Sequence, residues 1–199
     1  MKTPVVLALL IIVALAFAFI IFSKPAYPMS EADAKKFFLE DLKEKYPYAD
    51  MREIVEIIPQ TTADGTTYYQ LKARVTNGMD TPCPERIHVY YDYPPKNFVA
   101  QQPEYITRNC KVCINEPICI LVFPEEAIIA SHTYNGTEKV AQFIKENSDV
   151  HAAAQFMDSY GDYAGVWKVR WTSASSSMAY VVVLSKSANS VIAASAEAS

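Results

Sequence analysis

The longest apolar stretch of the chain lies close to its N-terminus. From Val5 to Phe22, eighteen consecutive residues carry no charged or polar side chain. A helix of eighteen residues rises ~27 Å at ~1.5 Å per residue, close to the ~30 Å hydrocarbon core of a bilayer. The pattern predicts a membrane anchor in residues 1–23, crossing through residues 4–22, and a linker over 24–29. A cleaved signal peptide is the alternative, because Ala-x-Ala sequences occur inside the run.

Beyond the linker, the first half changes from a helical period to an alternating one. Apolar residues spaced by three and four predict a helix from Glu31 to Tyr46, which Pro47 ends. Alternation of apolar and polar residues then predicts three antiparallel strands, separated by polar turns that include Asp-Gly and Asn-Gly. The predicted strands cover residues 54–58, 67–76 and 86–93.

The second half repeats this order after a segment rich in proline and cysteine. A short strand is predicted at Cys119–Phe123, and either a strand or a helical turn at Glu125–Ser131. Thr137 begins a predicted helix with Val140 and Phe143 on one face, and Val150–Tyr160 is predicted as a further helix. The predicted strands that follow cover residues 166–172, 178–186 and 190–194.

These elements together predict an α+β fold class. We expect the N-terminal transmembrane helix to be followed by antiparallel sheets with packed helices, arranged as a tandem α-β-β-β repeat. The repeat divides the chain into a first half at residues 30–93, a Cys/Pro-rich connecting segment at 94–136, and a second half at 137–199. Chance recurrence of a common α+β meander is the alternative.

The last hairpin of the chain carries a resemblance to known families. The sequence VWKVRWT, followed by AYVVVLSKSANSVI, is similar to the final strands of a PepSY repeat. The order of elements also resembles that of cystatin-like domains, in which a helix packs across a curled antiparallel sheet. Such hairpins usually carry Asp and Gly in the turn, where this chain has Ser187-Ala188-Asn189. The resemblance covers about 60 residues and implies an extracytoplasmic binding or inhibitory module without catalysis.

The charge distribution narrows the range of partners. The chain has a net charge of −4, and Lys2 and Lys24 flank the apolar run. All 22 acidic residues and the other 16 basic ones lie beyond Lys24, so that remainder carries a net charge of −6. Because no cluster of Lys and Arg occurs in the sequence, a nucleic-acid partner is not expected.

Four cysteines, Cys83, Cys110, Cys113 and Cys119, are the sharpest chemical signal. An even number in an exported domain predicts two disulfides, and the three possible connectivities stay open. We expect Cys83 to reach into the loop that contains Cys110 and Cys113. A zinc site is the alternative, but zinc ribbons have two closely spaced pairs and this chain has one. A thioredoxin-type role requires a helix after Cys-x-x-Cys, which the sequence does not predict.

Two further features are candidate sites. Asn135-Gly136-Thr137 is an N-glycosylation sequon in a predicted loop, although Asn-Gly is also an ordinary turn. Tyr68 and Tyr90 lie at positions that face the same way on neighbouring predicted strands, which favours a contact surface. The sequence contains no phosphate-binding glycine loop and no motif of a hydrolase or metalloprotease, so no catalytic residue, metal or cofactor is expected.

These features favour a binding domain that is tethered to a membrane and lies outside the cytoplasm. We expect the cell membrane of a prokaryote, such as an archaeon, crossed once, with an envelope protein or a second copy of the chain as partner. The cysteines and the sequon, more than the flanking charges, predict this orientation. The alternatives are a pilin-like structural subunit and a metal-binding or thiol-redox domain. The metal-binding or thiol-redox alternative is contradicted if the four cysteines form two disulfides.

Overall fold

The fold is taken from a computed structural model that describes residues 30–63, 65, 67–94, 102–113, 119–187 and 190–198. The predicted membrane anchor and linker lie outside these residues. In the ranges given, every helix is too short or too polar to cross a bilayer.

The first half consists of one helix and a four-stranded antiparallel sheet. Helix α1 covers Glu31–Lys45, and the strands follow in the chain order that they keep in the sheet. Ala34, Phe38 and Leu42 recur every four residues, and their side chains fill the core under the helix. The strands are β1 at Met51–Thr61, β2 at Thr67–Asn77, β3 at Glu85–Tyr93 and β4 at Glu104–Thr107.

The second half consists of two short helices and a second four-stranded antiparallel sheet. Helix α2 covers Pro124–Thr133 and helix α3 covers Glu138–Glu146. Their apolar side chains pack against the sheet around Trp167 and Trp171, which are 6% and 0% exposed. The strands, again in chain order, are β5 at Val150–Tyr160, β6 at Tyr163–Ser173, β7 at Met178–Ser185 and β8 at Val191–Ala198.

The loop between β2 and β3 joins the two halves. The Asp80 carbonyl oxygen accepts a hydrogen bond from the Ala152 amide at 2.8 Å. The carboxylate of Asp80 lies 3.0 Å from Nδ1 of His151. The Pro82 carbonyl oxygen lies 2.8 Å from His132 Nε2 in α2. Residues 31–199 accordingly belong to one compact unit.

The predicted fold class was wrong in its architecture. The described residues are mostly antiparallel sheet, with two four-stranded sheets and three short helices, and none of these helices is suited to span a membrane. The tandem α-β-β-β arrangement does not describe the chain, because each half has a fourth strand and the second half has two helices. Short strand β4 escaped the sequence pattern because four residues are too few to show a period.

The largest single error concerns residues 150–160, which were predicted as a helix and form strand β5. Ala152, Ala153, Ala154, Gln155 and Met157 favour a helix by intrinsic propensity. Pairing with β6 overrides this preference, because ten residue pairs join the two strands. Gly161, with a φ of +58°, begins the two-residue turn between them, a backbone conformation that favours glycine.

The connecting segment also differs from its prediction. Residues 119–123, predicted as a strand, have no regular secondary structure. The next stretch, left open between strand and helical turn, forms α2, which Pro124 begins at its first position. Glu125 and Glu126 follow in the first turn, where a negative charge interacts favourably with the helix dipole.

Candidate functional site

The first sheet has an apolar face and a polar face. Leu71, Ala73 and Val75 of β2 pack under α1, so the alternate residues of each strand point away from the helix. We call this second side the polar face. It carries Glu53, Glu56, Ile58, Tyr68, Gln70, Lys72, Arg74, Thr76, Arg86, His88, Tyr90 and Asp92.

One end of the polar face is covered by the start of α2. Glu125 is 0% exposed and accepts a hydrogen bond from the Thr76 hydroxyl. Its carboxylate oxygens lie 3.8 Å from Arg74 Nε and 3.9 Å from Arg86 Nη1. Arg86 Nη2 donates to Glu126 Oε1 at 2.7 Å. Both arginine side chains are almost completely buried, so this group of charges joins the two halves out of contact with water.

Phe123 completes this group, which we call the charged seam: Arg74, Arg86, Phe123, Glu125 and Glu126. The central carbon of each guanidinium lies 4.5 Å from the centroid of the Phe123 ring. Glu126 Oε2 accepts hydrogen bonds from the backbone amides of Val122 and Phe123 at 2.6 and 3.0 Å. Cation–π contacts and backbone capping therefore hold the acidic pair opposite the two arginines.

The other end of the polar face is open and forms a cleft of about 260 Å³. Charges of both signs line the cleft. The aromatic ring of Tyr90 also lines it, and Lys72 Nζ lies 5.5 Å from the centroid of this ring. Such a mixture suits a polar peptide or protein surface better than an apolar small molecule. The polar-face residues that line the cleft are Glu56, Ile58, Gln70, Lys72, Tyr90 and Asp92.

His88 lies between the charged seam and the cleft. Its neighbours across the sheet are Arg74 on β2 and Glu104 on β4. The side chain is buried, and within the described part of the chain neither ring nitrogen has a hydrogen-bond partner. Burial, followed by the charges of Lys72 and Arg86, lowers the pKa of His88 to about 4. The ring is therefore neutral at pH 7, with one donor and one acceptor nitrogen.

Tyr90 is held at the border of the cleft by a carboxylate. Its hydroxyl donates to Glu104 Oε2 at 2.6 Å. Burial and this hydrogen bond raise the pKa of Tyr90 to about 12, so the phenol stays protonated at neutral pH. Tyr68 lies on the same face, four positions along β2 from Lys72, which pairs with Tyr90. At ~3.3 Å per residue, the two tyrosines are separated by ~13 Å along the sheet.

The prediction of disulfide bonds is confirmed. Cys83 pairs with Cys110 at a Cα–Cα distance of 4.7 Å, and Cys113 pairs with Cys119 at 5.3 Å. Cys83 reaches into the loop of Cys110, as expected. Cys83 is exposed, whereas Cys119 is only 6% exposed. Sulfurs in a disulfide do not act as thiolate ligands, so a zinc site made of the four cysteines does not exist in this oxidised form.

His132 on α2 lies beside the Cys83–Cys110 disulfide. A ring nitrogen of His132 and the two sulfur atoms are all within 4.8 Å of one another. Because a carbonyl oxygen only accepts, Nε2 donates to Pro82, and the neutral ring keeps its lone pair on Nδ1. Burial lowers the pKa of His132, and its ring meets that of Trp171 edge-on at 5.5 Å.

Asn135 occupies the turn between α2 and α3. Its side chain is exposed, and the following Gly136 has a φ of +93°. Thr137 is buried and donates its hydroxyl to the Tyr134 carbonyl oxygen at 2.6 Å. Asn135 also lines a wide groove of about 730 Å³ beside the Cys113–Cys119 disulfide.

The charged seam was missed by sequence analysis. The pair Glu125-Glu126 belongs to the stretch that the sequence leaves open between a strand and a helical turn, and nothing in that pattern indicates a partner for the two carboxylates. Arg74 and Arg86 alternate with core residues, so their positions indicated the polar face of the sheet. Their burial depends on where α2 docks, and a pattern within one strand carries no signal for that contact.

No family model, curated protein or solved structure matches this chain. The resemblance to PepSY and cystatin-like domains therefore stays a prediction.

Proposed function

We propose that this protein is a non-enzymatic binding domain that works outside the cytoplasm and contacts a partner protein through the polar face of its first sheet. The two disulfides support the compartment, because such bonds persist in oxidising surroundings. Membrane attachment through residues 4–22 and a cell-surface location remain predictions that rest on the apolar run.

The cleft is the observation that carries the proposal. Lys72, Glu56 and Asp92 offer charges of both signs, and Tyr90 adds an aromatic surface that is fixed by its bond to Glu104. A side chain that is already held in place loses little conformational entropy on binding.

The partner that fits this surface is a polar protein surface with charges of both signs. An envelope protein and a second copy of this chain both satisfy that description. A second copy also fits, because Glu56 and Lys72 are neighbours across β1 and β2. A twofold axis beside this pair places Glu56 of one copy opposite Lys72 of the other.

Site-specific photo-crosslinking in the source cells tests the proposal. A benzophenone amino acid replaces Gln70 in the cleft, and the matched control carries it at Lys139, an exposed residue of α3. We expect a defined crosslinked product at position 70, no such product at 139, and loss of the product when Lys72→Glu is added.

The mass of the product separates the two partners. A product of twice the 22.2 kDa chain mass identifies a second copy, and any other defined mass identifies a different protein. Equal labelling at both positions, or a product at 70 that is insensitive to Lys72→Glu, contradicts the proposed contact surface.

A further inference from the structure

Beyond the polar face, we propose that reduction of the Cys83–Cys110 disulfide converts its two sulfurs and His132 into a binding site for Zn²⁺. Cys83 lies just before β3, which begins at Glu85, whereas the cleft lies near Asp92 at the far end of that strand. At ~3.3 Å per residue these places are ~30 Å apart, so the two sites are independent.

The geometry supplies three ligands in one place. The two sulfur atoms and a ring nitrogen of His132 lie within 4.8 Å of one another before any rearrangement. Ligands at ~2.0–2.3 Å from a tetrahedral zinc ion are separated by ~3.3–3.8 Å, so the two sulfurs move apart once their bond is broken while the imidazole stays within reach. Each ligand comes from a different segment: Cys83 from the β2–β3 loop, Cys110 from the loop after β4, and His132 from α2.

The surroundings of His132 suit a metal ligand. Its Nε2 donates to the Pro82 carbonyl oxygen at 2.8 Å, which orients the ring beside the two sulfurs. A backbone carbonyl that accepts from the second ring nitrogen is the usual support of a histidine ligand. The same Pro82 immediately precedes Cys83, so this hydrogen bond also positions one of the sulfur ligands.

Of the two disulfides, this one contains the more exposed cysteine. Cys83 is exposed, whereas Cys119 in the other pair is buried. A phosphine breaks the S–S bond and is oxidised to its oxide with the oxygen of one water molecule, which leaves two thiols. Zn²⁺ then displaces one proton from each thiol and binds two thiolates and the neutral imidazole, and a water molecule takes the fourth position.

Spectroscopic titration with Co²⁺, followed by displacement with Zn²⁺, tests the proposal on the full chain. The protein is reduced with a phosphine without oxygen, and its fold is monitored by the fluorescence of Trp167 and Trp171. We expect the visible and thiolate charge-transfer bands of tetrahedral Co²⁺ in the reduced chain only. X-ray absorption of the Co²⁺ form is expected to count two sulfur ligands, one imidazole nitrogen and one oxygen.

Variants assign the ligands. The Cys113→Ser/Cys119→Ser chain is the matched control and is expected to keep the bands, whereas Cys83→Ser/Cys110→Ser loses them. His132→Gln weakens Zn²⁺ binding by more than the ~10–100-fold that loss of a supporting partner costs.

Three results overturn the proposal. The first is a reduced chain that remains folded and shows no tetrahedral bands. The second is a count of four sulfur ligands or loss of the bands in the Cys113→Ser/Cys119→Ser control. The third is Co²⁺ binding by a chain that has lost its native fluorescence, because the fold then does not bring the ligands together.

Discussion

Replacing Glu125 with Gln removes one negative charge from the charged seam and keeps the shape of the side chain. Glu125 is 0% exposed and faces Arg74 and Arg86 at 3.8 and 3.9 Å. Loss of one partner from a buried ion pair costs ~3–5 kcal/mol, because the remaining charge stays buried without compensation. Glu126 still pairs with Arg86, Glu53 Oε2 still lies 3.1 Å from Arg74 Nη2, and the Gln amide oxygen still accepts from Thr76. We therefore expect a loss at the lower end of this range, ~3 kcal/mol.

Urea unfolding of the full chain measures this loss, with tryptophan fluorescence reporting the second half and far-ultraviolet circular dichroism reporting both. The matched control is Glu197→Gln, since Glu197 Oε1 accepts from Arg170 Nε at 2.8 Å in a pair that is nearly half exposed. An exposed pair contributes ~0–1 kcal/mol. Equal losses of unfolding free energy in the two variants would refute the reasoning, because burial would then not determine the strength of the seam.

Two other changes have defined outcomes. His88 takes up a proton at pH ~6.5 when unfolded but at about 4 when folded, so the chain loses stability as the pH falls through that interval. Urea unfolding at several pH values should show that the unchanged chain loses up to ~3 kcal/mol of unfolding free energy over this interval. The His88→Gln variant should not show this loss. Stability profiles that run parallel for the two chains contradict the prediction. Replacing Cys83 and Cys110 by Ser should cost ~3.5 kcal/mol and replacing Cys113 and Cys119 ~2 kcal/mol, because the pairs are 27 and 6 residues apart. Urea unfolding measures both losses, and the reverse order contradicts the loop-entropy argument.

The parts of the fold that the sequence predicts correctly have strong local signals. Helix α1 has apolar residues at helical spacing and a proline beyond its end, and β2 and β3 alternate over most of their length. Strand β5 shows the limit of this reasoning, since its alanines prefer a helix and only the partner strand makes them extended.

The candidate sites divide in the same way. The even cysteine number predicted disulfides, because that inference needs composition and compartment only. Strand parity placed Tyr68 and Tyr90 on one face, but their separation along the sheet follows from the register of β2 and β3. The seam and the position of His132 beside Cys83 arise from docking of α2 on the first half, which no local pattern encodes.

Each sheet is built from strands that are consecutive in the chain, and this has a consequence for the order in which the protein is made. The ribosome synthesises the N-terminal half first, so all four strands of the first sheet can pair once Thr107 has left the ribosome. Until residues 123–126 follow, Arg74 can pair with Glu53 of β1, whose carboxylate lies 3.1 Å from it, whereas Arg86 lacks Glu126, the partner of its Nη2. The first half is acidic overall, with 13 acidic and 9 basic residues over 30–107, but it exposes a local positive charge at this end of its sheet. The arrival of Glu125 and Glu126 both neutralises that charge and attaches the second half.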